Sequence, residues 1–329
     1  MLKRGKFPAP SVTDERPLYL NEFSDSLAPH DLSASDEFQS LLESAADLGI
    51  DAPDTVRYRS HNTVLRSQRF HFLEWGDPAN PPLILLHGSN QSAHSWDLVS
   101  LHLSRDWHVF ALDQRGHGDS EWSRTADYSV HEMAADLAAF IEVIGATQPV
   151  VIGHSMGGMV TLTFTRNHPG VPRAIGVVDI GPEVNAEGTK MIREFVGRNI
   201  EFDDMEEFLD RVEKYDRYRT RAHIAKTLKY NLLRRADGKY VTKNDRRRFH
   251  AEGDVRRTPA LDELAQFPMP VLIVRGGDSN VLVQDAAERF VDALRDGRLV
   301  TIPDCGHNVA SQNTSGFLAA VKDYLASLD

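Results

Sequence analysis

Short apolar segments alternate with longer segments of helical periodicity along most of the chain. The apolar segments are rich in Val, Ile and Leu, as expected for parallel strands that are buried on both faces. In chain order they read LILLHG, WHVFALD, PVVIGHS, AIGVVDIG, PVLIVRGG and RLVTIP, beginning at positions 83, 107, 149, 174, 270 and 298. Helical spacing is found between them, for example in VHEMAADLAAFIEVIG and MGGMVTLTFTRNHP. This alternation predicts an α/β fold, a mostly parallel sheet with helices on both faces.

A hairpin pattern precedes the first of these strands. Residues 55–76 read TVRYRSHNTVLRSQRFHFLEWG and predict two strands, followed by a turn at Gly76-Asp77-Pro78. With the hairpin included, the sheet has eight strands. We assign the core of the fold to residues 55–182 and 263–329.

One connection is much longer than the others. About 90 residues separate AIGVVDIG from PVLIVRGG, and a connection of this length must form a substructure of its own. Its patterns TKMIREFVGRN, DMEEFLDRVEKY, RAHIAKTLKYNLL and LDELAQF predict a helical cap over residues 183–262. Residues 211–257 hold sixteen Lys or Arg against six Asp or Glu. This basic region is either a solvated face that pairs with acidic residues or a surface that attracts an anionic substrate.

The first 54 residues differ in composition from the rest. They carry four Lys or Arg against eleven Asp or Glu. The stretch DEFQSLLESAADLGI has apolar residues at helical spacing, so we predict an N-terminal extension, residues 1–54, with one helix. It is either a strap on the surface of the core or an element of dimerisation or gating.

The overall composition is typical of a globular protein, with 41% hydrophobic and 26% charged residues. The net charge of −11 argues against a nucleic-acid partner. Cys305 is the only cysteine, which excludes an internal disulfide. The N-terminus lacks the apolar run of a secretory signal, and no segment approaches the ~20 apolar residues of a membrane span. We therefore expect a cytoplasmic protein without a membrane partner, and the sequence leaves a homo-oligomer open.

The chemistry centres on GHSMGG, residues 153–158, in which Ser155 lies between glycines at a predicted strand-to-helix junction. Gly153 and Gly157 are the small neighbours that such a close passage of strand and helix needs, and the junction would expose the Ser155 hydroxyl at the sheet edge. A serine hydroxyl is a poor nucleophile by itself. The chain must therefore supply a base, an orienting acid and a site for the oxyanion.

The base and the acid are expected in loops that follow strands, because ligands sit at the C-terminal ends of parallel strands. His307, in PDCGHN after the last strand, is the expected general base. Asp278, in VRGGDSN, is the expected acid, since it gives the chain order serine, acid, histidine. Asp179, at the end of the strand that follows the serine, is the alternative acid.

Two backbone N–H groups are expected to stabilise the oxyanion. One belongs to Met156, directly after the nucleophile, and the other to Ser89 in the loop HGSNQS, with Asn90 as the alternative. His117 and Asp119 in LDQRGHGDS do not belong to a wider pattern of metal ligands, so we expect no metal.

The motifs LLHGSN, DQRGHGDS, GHSMGG, VRGGDSN and PDCGHN stand in the order and spacing of the α/β-hydrolase fold superfamily. From residue 56 onward the chain resembles a capped member of it with a serine nucleophile. The resemblance implies an eight-stranded sheet with a cap after the sixth strand, and Ser155, His307 and Asp278 as the catalytic triad. It argues against a haloalkane dehalogenase or an epoxide hydrolase, since members of those groups carry aspartate at the position of Ser155. It does not extend to residues 1–54.

The resemblance implies a serine hydrolase that cleaves a small or medium carboxylic ester or a lactone through an acyl-enzyme and needs no cofactor. The partner would then be a small-molecule substrate, and the cap would roof its pocket. Candidate lining residues in the cap are Phe195, Met205, Phe208, Leu209, Leu228, Tyr230 and Leu232. Two alternatives are a hydrolase of C–C bonds in ring-cleavage diketones, which basic residues aimed into the pocket would favour, and a ligand receptor without turnover.

Overall fold

A large mixed β-sheet organises the protein. The computed structural model describes residues 29–198, 201–249 and 258–328. The strands within these residues are β1 (His30–Asp31), β2 (Tyr58–Leu65), β3 (Gln68–Trp75), β4 (Pro82–Leu86), β5 (His108–Leu112), β6 (Val150–His154), β7 (Ala174–Val178), β8 (Glu201–Phe202), β9 (Leu232–Arg234), β10 (Tyr240–Thr242), β11 (Val271–Gly276) and β12 (Gly297–Ile302).

Nine of these strands form the main sheet, in the order β1-β2-β3-β5-β4-β6-β7-β11-β12. The hairpin β2–β3 is antiparallel, and the pairs from β5 to β12 are parallel. All eight strands expected from the sequence are therefore present. The ninth, β1, is a two-residue strand from the N-terminal segment that pairs with β2 at the edge.

Helices cover both faces of the sheet. Within the described residues they are α1 (Asp36–Asp47), α2 (Asp97–Leu103), α3 (Val130–Val143), α4 (Met156–Asn167), α5 (Ala186–Arg198), α6 (Met205–Tyr215), α7 (Arg221–Leu228), α8 (Leu261–Leu264), α9 (Gln284–Asp292), α10 (Val309–Gln312) and α11 (Thr314–Ala326). None of them is both long and apolar enough to cross a bilayer.

Successive side chains of each strand point to opposite faces of the sheet and so belong to two different hydrophobic cores. In β4, Leu83 and Leu85 belong to one hydrophobic core, which includes residues of α1, α2 and α11. Ile84 and Leu86 belong to the other, which includes residues of α3, α4 and α9. The strands are thus buried on both sides, as their continuous apolar sequences predict.

The segment between β7 and β11, residues 179–270, is called here the β7–β11 connection. It holds α5 to α8 and has a small hydrophobic core of its own. The predicted helical cap is incomplete as a description, because the connection also contains a three-stranded sheet in the order β8-β10-β9. The predicted helix RAHIAKTLKYNLL ends at Leu228, and β9 begins at Leu232. A tight turn between β9 and β10, where Gly238 has φ +91°, explains the change, since glycine permits this backbone conformation.

The basic residues of the connection are largely paired with acidic ones. Arg221 contacts three carboxylates of α6 at 2.6–2.9 Å. Lys243 contacts Asp119 in the loop after β5 at 2.7 Å, and Arg217 contacts Asp278 at 3.1 Å. The first of the two interpretations, a solvated face that pairs with acidic residues, accounts for these side chains.

The predicted N-terminal helix is present as α1. Ser35 caps it by accepting a hydrogen bond from the Phe38 backbone N–H at 3.1 Å. Phe38 is buried against Tyr58 and Trp75, which stack on each other with ring centroids 3.6 Å apart. These aromatic contacts fix the helix to the core. The preceding residues 1–28 of the predicted extension lie outside the described residues.

Candidate active site

Ser155 lies between β6 and α4 in a strained backbone conformation. Its φ and ψ are 51° and −113°, which a non-glycine residue adopts only when the surrounding structure holds it there. A Cβ added to Gly153 would lie 2.2 Å from the Gly157 carbonyl oxygen. A Cβ added to Gly157 would lie 2.4 Å from the Leu86 carbonyl oxygen. The glycines of GHSMGG are therefore required by the close passage of strand and helix, as the motif predicts.

A chain of hydrogen bonds links this serine to a buried carboxylate. The His307 Nε2 atom lies 2.9 Å from the Ser155 Oγ, and the His307 Nδ1 lies 2.8 Å from an Asp179 carboxylate oxygen. Asp179 is fully buried, and the His307 side chain is 11% exposed. This is the arrangement in which a histidine can accept the serine proton while a carboxylate holds its ring.

The Asp179 carboxylate is held in place by further donors. The Gly276 backbone N–H donates to one oxygen at 2.9 Å, and the Ser279 hydroxyl donates to the oxygen that faces His307. The backbone at Asp179 has φ 52° and is held by a 2.7 Å hydrogen bond from its N–H to the Val274 carbonyl. These hydrogen bonds fix the position of the carboxylate beside the His307 ring.

The prediction that Asp278 orients His307 is wrong. The Asp278 carboxylate accepts hydrogen bonds from the Tyr218 hydroxyl at 2.9 Å and from Arg217 at 3.1 Å, and its side chain is 48% exposed. Strands β7 and β11 are parallel neighbours, so both aspartates lie at the same edge of the sheet. Asp179 directly follows β7, whereas Asp278 lies in the turn after β11, and the alternative acid makes the contact.

The loop after β4 lies beside Ser155. Ser89 and Asn90 line the same cavity as Ser155 and His307. The turn is closed by the Gly88 N–H, which donates to the Gln91 side chain at 2.8 Å, and Asn90 has φ 63°. Met156 is the first residue of α4, where backbone N–H groups have no partner within the helix. The roles of Ser89 and Met156 as oxyanion donors stay predictions.

His154 is a site residue that the sequence reasoning missed. Its Nε2 lies 2.8 Å from the His307 carbonyl oxygen, and its Nδ1 lies 3.1 Å from the Gln91 Oε1. Burial, together with the charge of nearby His307, lowers the pKa of His154 to about 3, so the ring is neutral. A neutral ring has a single N–H, and its donation to the His307 carbonyl ties the His307 loop to the end of β6. Its place directly before Ser155 in GHSMGG is the sequence signal for this residue, and an interpretation of the glycines and the serine alone does not use it.

The motif LDQRGHGDS forms a polar network next to the site. Asp113 is buried and accepts hydrogen bonds from His71 at 2.7 Å and from the Ala93 N–H at 2.6 Å. The hydrogen bond and charge of His71 outweigh burial and lower the pKa of Asp113. His71, Asp113 and Asp119 are close enough together to hold a metal ion. Each already has a polar partner, since His71 also contacts Ser60 and Asp119 pairs with Lys243. We therefore assign to this network the role of holding the loops after β4 and β5 in place.

Ser155 and His307 face a cavity of about 1470 Å³, part of which is open to solvent. Its walls come from α1, the loop after β4 with α2, the β7–β11 connection and the loop after β12. Of the candidate lining residues, Phe195, Phe208, Leu228 and Tyr230 line this cavity. Met205, Leu209 and Leu232 instead belong to the core of the connection. The contribution of α1 was not foreseen, and it consists of Glu37, Ser40, Leu41 and Ser44.

Comparisons with known proteins agree with this fold. A model of the alpha/beta hydrolase family matches residues 83–320. The chain is 27% identical to Esterase Rv0045c of Mycobacterium tuberculosis, over 91% of this chain and 99% of that protein. It is 27% identical to a 3-hydroxybutyrate-oligomer hydrolase of Cupriavidus necator, over 73% of this chain and 87% of that protein. The solved structure of an E-2-(acetamidomethylene)succinate hydrolase is similar in fold, with a TM-score of 0.75 at 20% identity over 82% of this chain and 100% of that one.

Proposed function

Because the chain belongs to the alpha/beta hydrolase family, we propose that it is a serine hydrolase that cleaves a small or medium carboxylic ester or a lactone. The observation that carries the proposal is the hydrogen-bonded chain from Ser155 through His307 to Asp179. The esterase relative that matches nearly the whole chain supports the same reaction class.

In the proposed reaction, the Ser155 oxygen attacks the substrate carbonyl carbon while His307 Nε2 takes the hydroxyl proton. Asp179 stabilises the imidazolium that forms. The C–O bond to the leaving alcohol then breaks, and His307 donates its proton to the alcohol oxygen. Water attacks the acyl-enzyme with His307 again as the base, and the acid and free Ser155 are released.

The negative oxygen of each tetrahedral intermediate needs donors that are already in place. The backbone N–H groups of Met156 and Ser89 are the proposed donors, because one begins a helix and the other lines the cavity beside Ser155. One such donor typically contributes about 3 kcal/mol to the transition state. The strained turn at Ser155 fixes the nucleophile relative to these donors, so little reorganisation is needed during the reaction.

The cavity favours a substrate of limited size. It is roofed by the β7–β11 connection and closed on another side by α1, so a bound acyl group is surrounded by protein on several sides. Aromatic and aliphatic walls from Phe195, Phe208 and Leu228 suit an apolar acyl or alcohol group. This supports an ester or lactone of small or medium size.

The test is hydrolysis of p-nitrophenyl esters of rising chain length, several lactones and one ring-cleavage diketone. We expect ester or lactone turnover in the wild type and its loss in Ser155→Ala. Ser327→Ala, on the exposed C-terminal end of α11, is the matched control and should keep full activity. Turnover retained in Ser155→Ala would overturn the mechanism. Diketone turnover alone would favour the C–C hydrolase, and ligand binding without any turnover would favour the receptor.

A further inference from the structure

A second buried pair of histidine and carboxylate lies in the cavity, apart from the triad. The His94 Nδ1 atom is 2.9 Å from an Asp97 carboxylate oxygen, and the two side chains are only 10% and 11% exposed. His94 belongs to a short 3₁₀ helix after β4, and Asp97 is the first residue of α2. Both line the cavity that holds Ser155 and His307. The proposed reaction gives this pair no task.

The β7–β11 connection completes a cluster around His94. The Tyr230 ring stacks on the imidazole, with ring centroids 3.6 Å apart and planes 11° from parallel. The ammonium group of Lys229 lies 4.9 Å from the centre of the same Tyr230 ring. Two basic side chains therefore flank one aromatic ring at the cavity wall, and both Lys229 and Tyr230 also line the cavity. Contacts of this kind between cations and an aromatic face are favourable.

The other basic side chains of this wall contact carboxylates, whereas Lys229 contacts none that the structure describes and His94 uses only one of its two ring nitrogens for Asp97. Arg219 is paired with Asp216 at 2.7 Å, and Lys226 contacts Glu43 at 3.7 Å. Within the described residues, Lys229 forms no ion pair, and His94 Nε2 has no hydrogen-bond partner. Because Nδ1 must donate its hydrogen to the Asp97 carboxylate, Nε2 is the atom through which a charged His94 can contact a ligand.

The surroundings favour the charged form of His94. Burial lowers the pKa of His94, but the charge and hydrogen bond of Asp97 outweigh it, with smaller contributions from Asp113 and Asp119, and the pKa is raised. Tyr230 is neutral at ordinary pH, because burial and the charges of Asp97 and Glu37 raise its pKa. A protonated His94 donates a hydrogen bond from Nε2.

We propose that His94 and Lys229, arranged about Tyr230, form a cationic subsite that binds a carboxylate group carried by the substrate. The inference rests on the proposed function for the reaction itself and adds a substrate class, the half esters of dicarboxylic acids. The ester carbonyl of such a substrate reacts at Ser155, and its free carboxylate pairs with the two cations. Asp97 keeps the imidazole oriented and charged.

Matched substrate pairs test this subsite. Monomethyl glutarate, adipate and suberate are compared with methyl pentanoate, hexanoate and octanoate, and the released acid is titrated at constant pH. We expect the wild type to prefer at least one half ester to its neutral partner in kcat/KM. A charge-assisted hydrogen bond predicts that His94→Gln lowers this preference about tenfold or more. Neutral esters should change by no more than about twofold.

A second variant guards against misfolding, because His94→Gln leaves Asp97 buried without its partner. Lys229→Met keeps the His94–Asp97 pair and should also lower the preference for the half ester. The matched controls are His102→Gln on α2 and the exposed Lys322→Met on α11, neither of which lines the cavity, and both should keep the wild-type preference. Equal loss of both substrate types in His94→Gln, with no effect of Lys229→Met, would overturn the proposal.

Direct binding separates the subsite from the reaction. The affinity of Ser155→Ala for monomethyl adipate is measured by calorimetry, with and without Lys229→Met. If no ester is hydrolysed but the added substitution weakens binding, the subsite stands and the proposed reaction fails. The reaction stands and the subsite is overturned if the wild type hydrolyses neutral esters without preferring half esters, and if Lys229→Met does not weaken the binding of monomethyl adipate.

Discussion

His307 and Asp179 are separated by 128 residues in the sequence, yet the histidine Nδ1 lies 2.8 Å from the aspartate oxygen. Asp179 follows β7 and His307 follows β12, and β11 lies between these two strands and is parallel to both, so the two loops leave the same edge of the sheet. The contact assigns the orienting role to the residue after β7. Asp278, which comes closer to His307 in the sequence, instead contacts the β7–β11 connection.

We predict that Asp179→Asn lowers kcat by about 10³–10⁴, because an amide cannot hold the imidazole in the same tautomer or stabilise its charge. Asp278→Asn, the matched control, should keep kcat within a few-fold. Both variants are to be compared by steady-state hydrolysis of one p-nitrophenyl ester, with circular dichroism to confirm folding. A large loss in Asp278→Asn with little change in Asp179→Asn would reverse the assignment.

A second prediction concerns acid stability and His154. The pKa of this buried ring is lowered to about 3, whereas an unfolded histidine titrates near pH 6.5. Between these pH values the unfolded state binds the proton and the folded state does not, so His154 makes the free energy of unfolding fall as the pH falls. His154→Gln should remove this contribution.

The measurement is urea unfolding of both proteins at several pH values between 6.5 and 4.5. The decrease in the free energy of unfolding should be larger for the wild type by roughly 2 kcal/mol over this range, since one fully coupled proton contributes about 1.4 kcal/mol per pH unit and the unfolded histidine is half protonated at pH 6.5. All other titrating groups are shared and cancel in the difference. Parallel curves for the two proteins would show that His154 takes up its proton in the folded state.

A third prediction concerns α1 as a wall of the cavity. Ser40 lines the cavity, whereas the neighbouring Gln39 faces solvent from the same helix. On the proposed function, Ser40→Phe should fill part of the acyl space and shift the optimal p-nitrophenyl ester to a chain shorter by at least two carbons. Gln39→Phe, the matched control, adds the same side chain outside and should leave the chain-length profile unchanged. An unchanged profile in Ser40→Phe would show that the acyl group lies elsewhere.

Much of the fold could be predicted because the strands are continuous apolar segments bounded by turn residues. Ser155 and His307 were also predictable, since each occupies a motif whose glycines and position have a direct geometric reason. The carboxylate that contacts His307 was harder to predict. Asp179 and Asp278 both follow parallel strands at the same sheet edge, and only the path of each loop after its strand decides which one reaches His307.

The mixed structure of the β7–β11 connection and the contacts of His94 and His154 were not predictable in the same way. The sequence from Arg221 to Leu233 has helical spacing throughout, yet strand pairing with β10 ends the helix at Leu228. Pairing of this kind depends on contacts that helical spacing does not report. His94 has no motif of its own, and its contact with Tyr230 depends on how the β7–β11 connection folds over the site.

The location of β12 at the edge of the sheet has a consequence for how the protein loses activity. Among the residues that the structure describes, this strand pairs with β11 alone, and His307, the proposed general base, follows it. An edge strand can open locally at a lower free energy than the central strands. The hydrogen bonds of His307 to Asp179 and His154 oppose this opening, since both partners lie at the ends of more central strands. Inactivation can therefore precede global unfolding, and a ligand that contacts His307 would delay it by closing this edge.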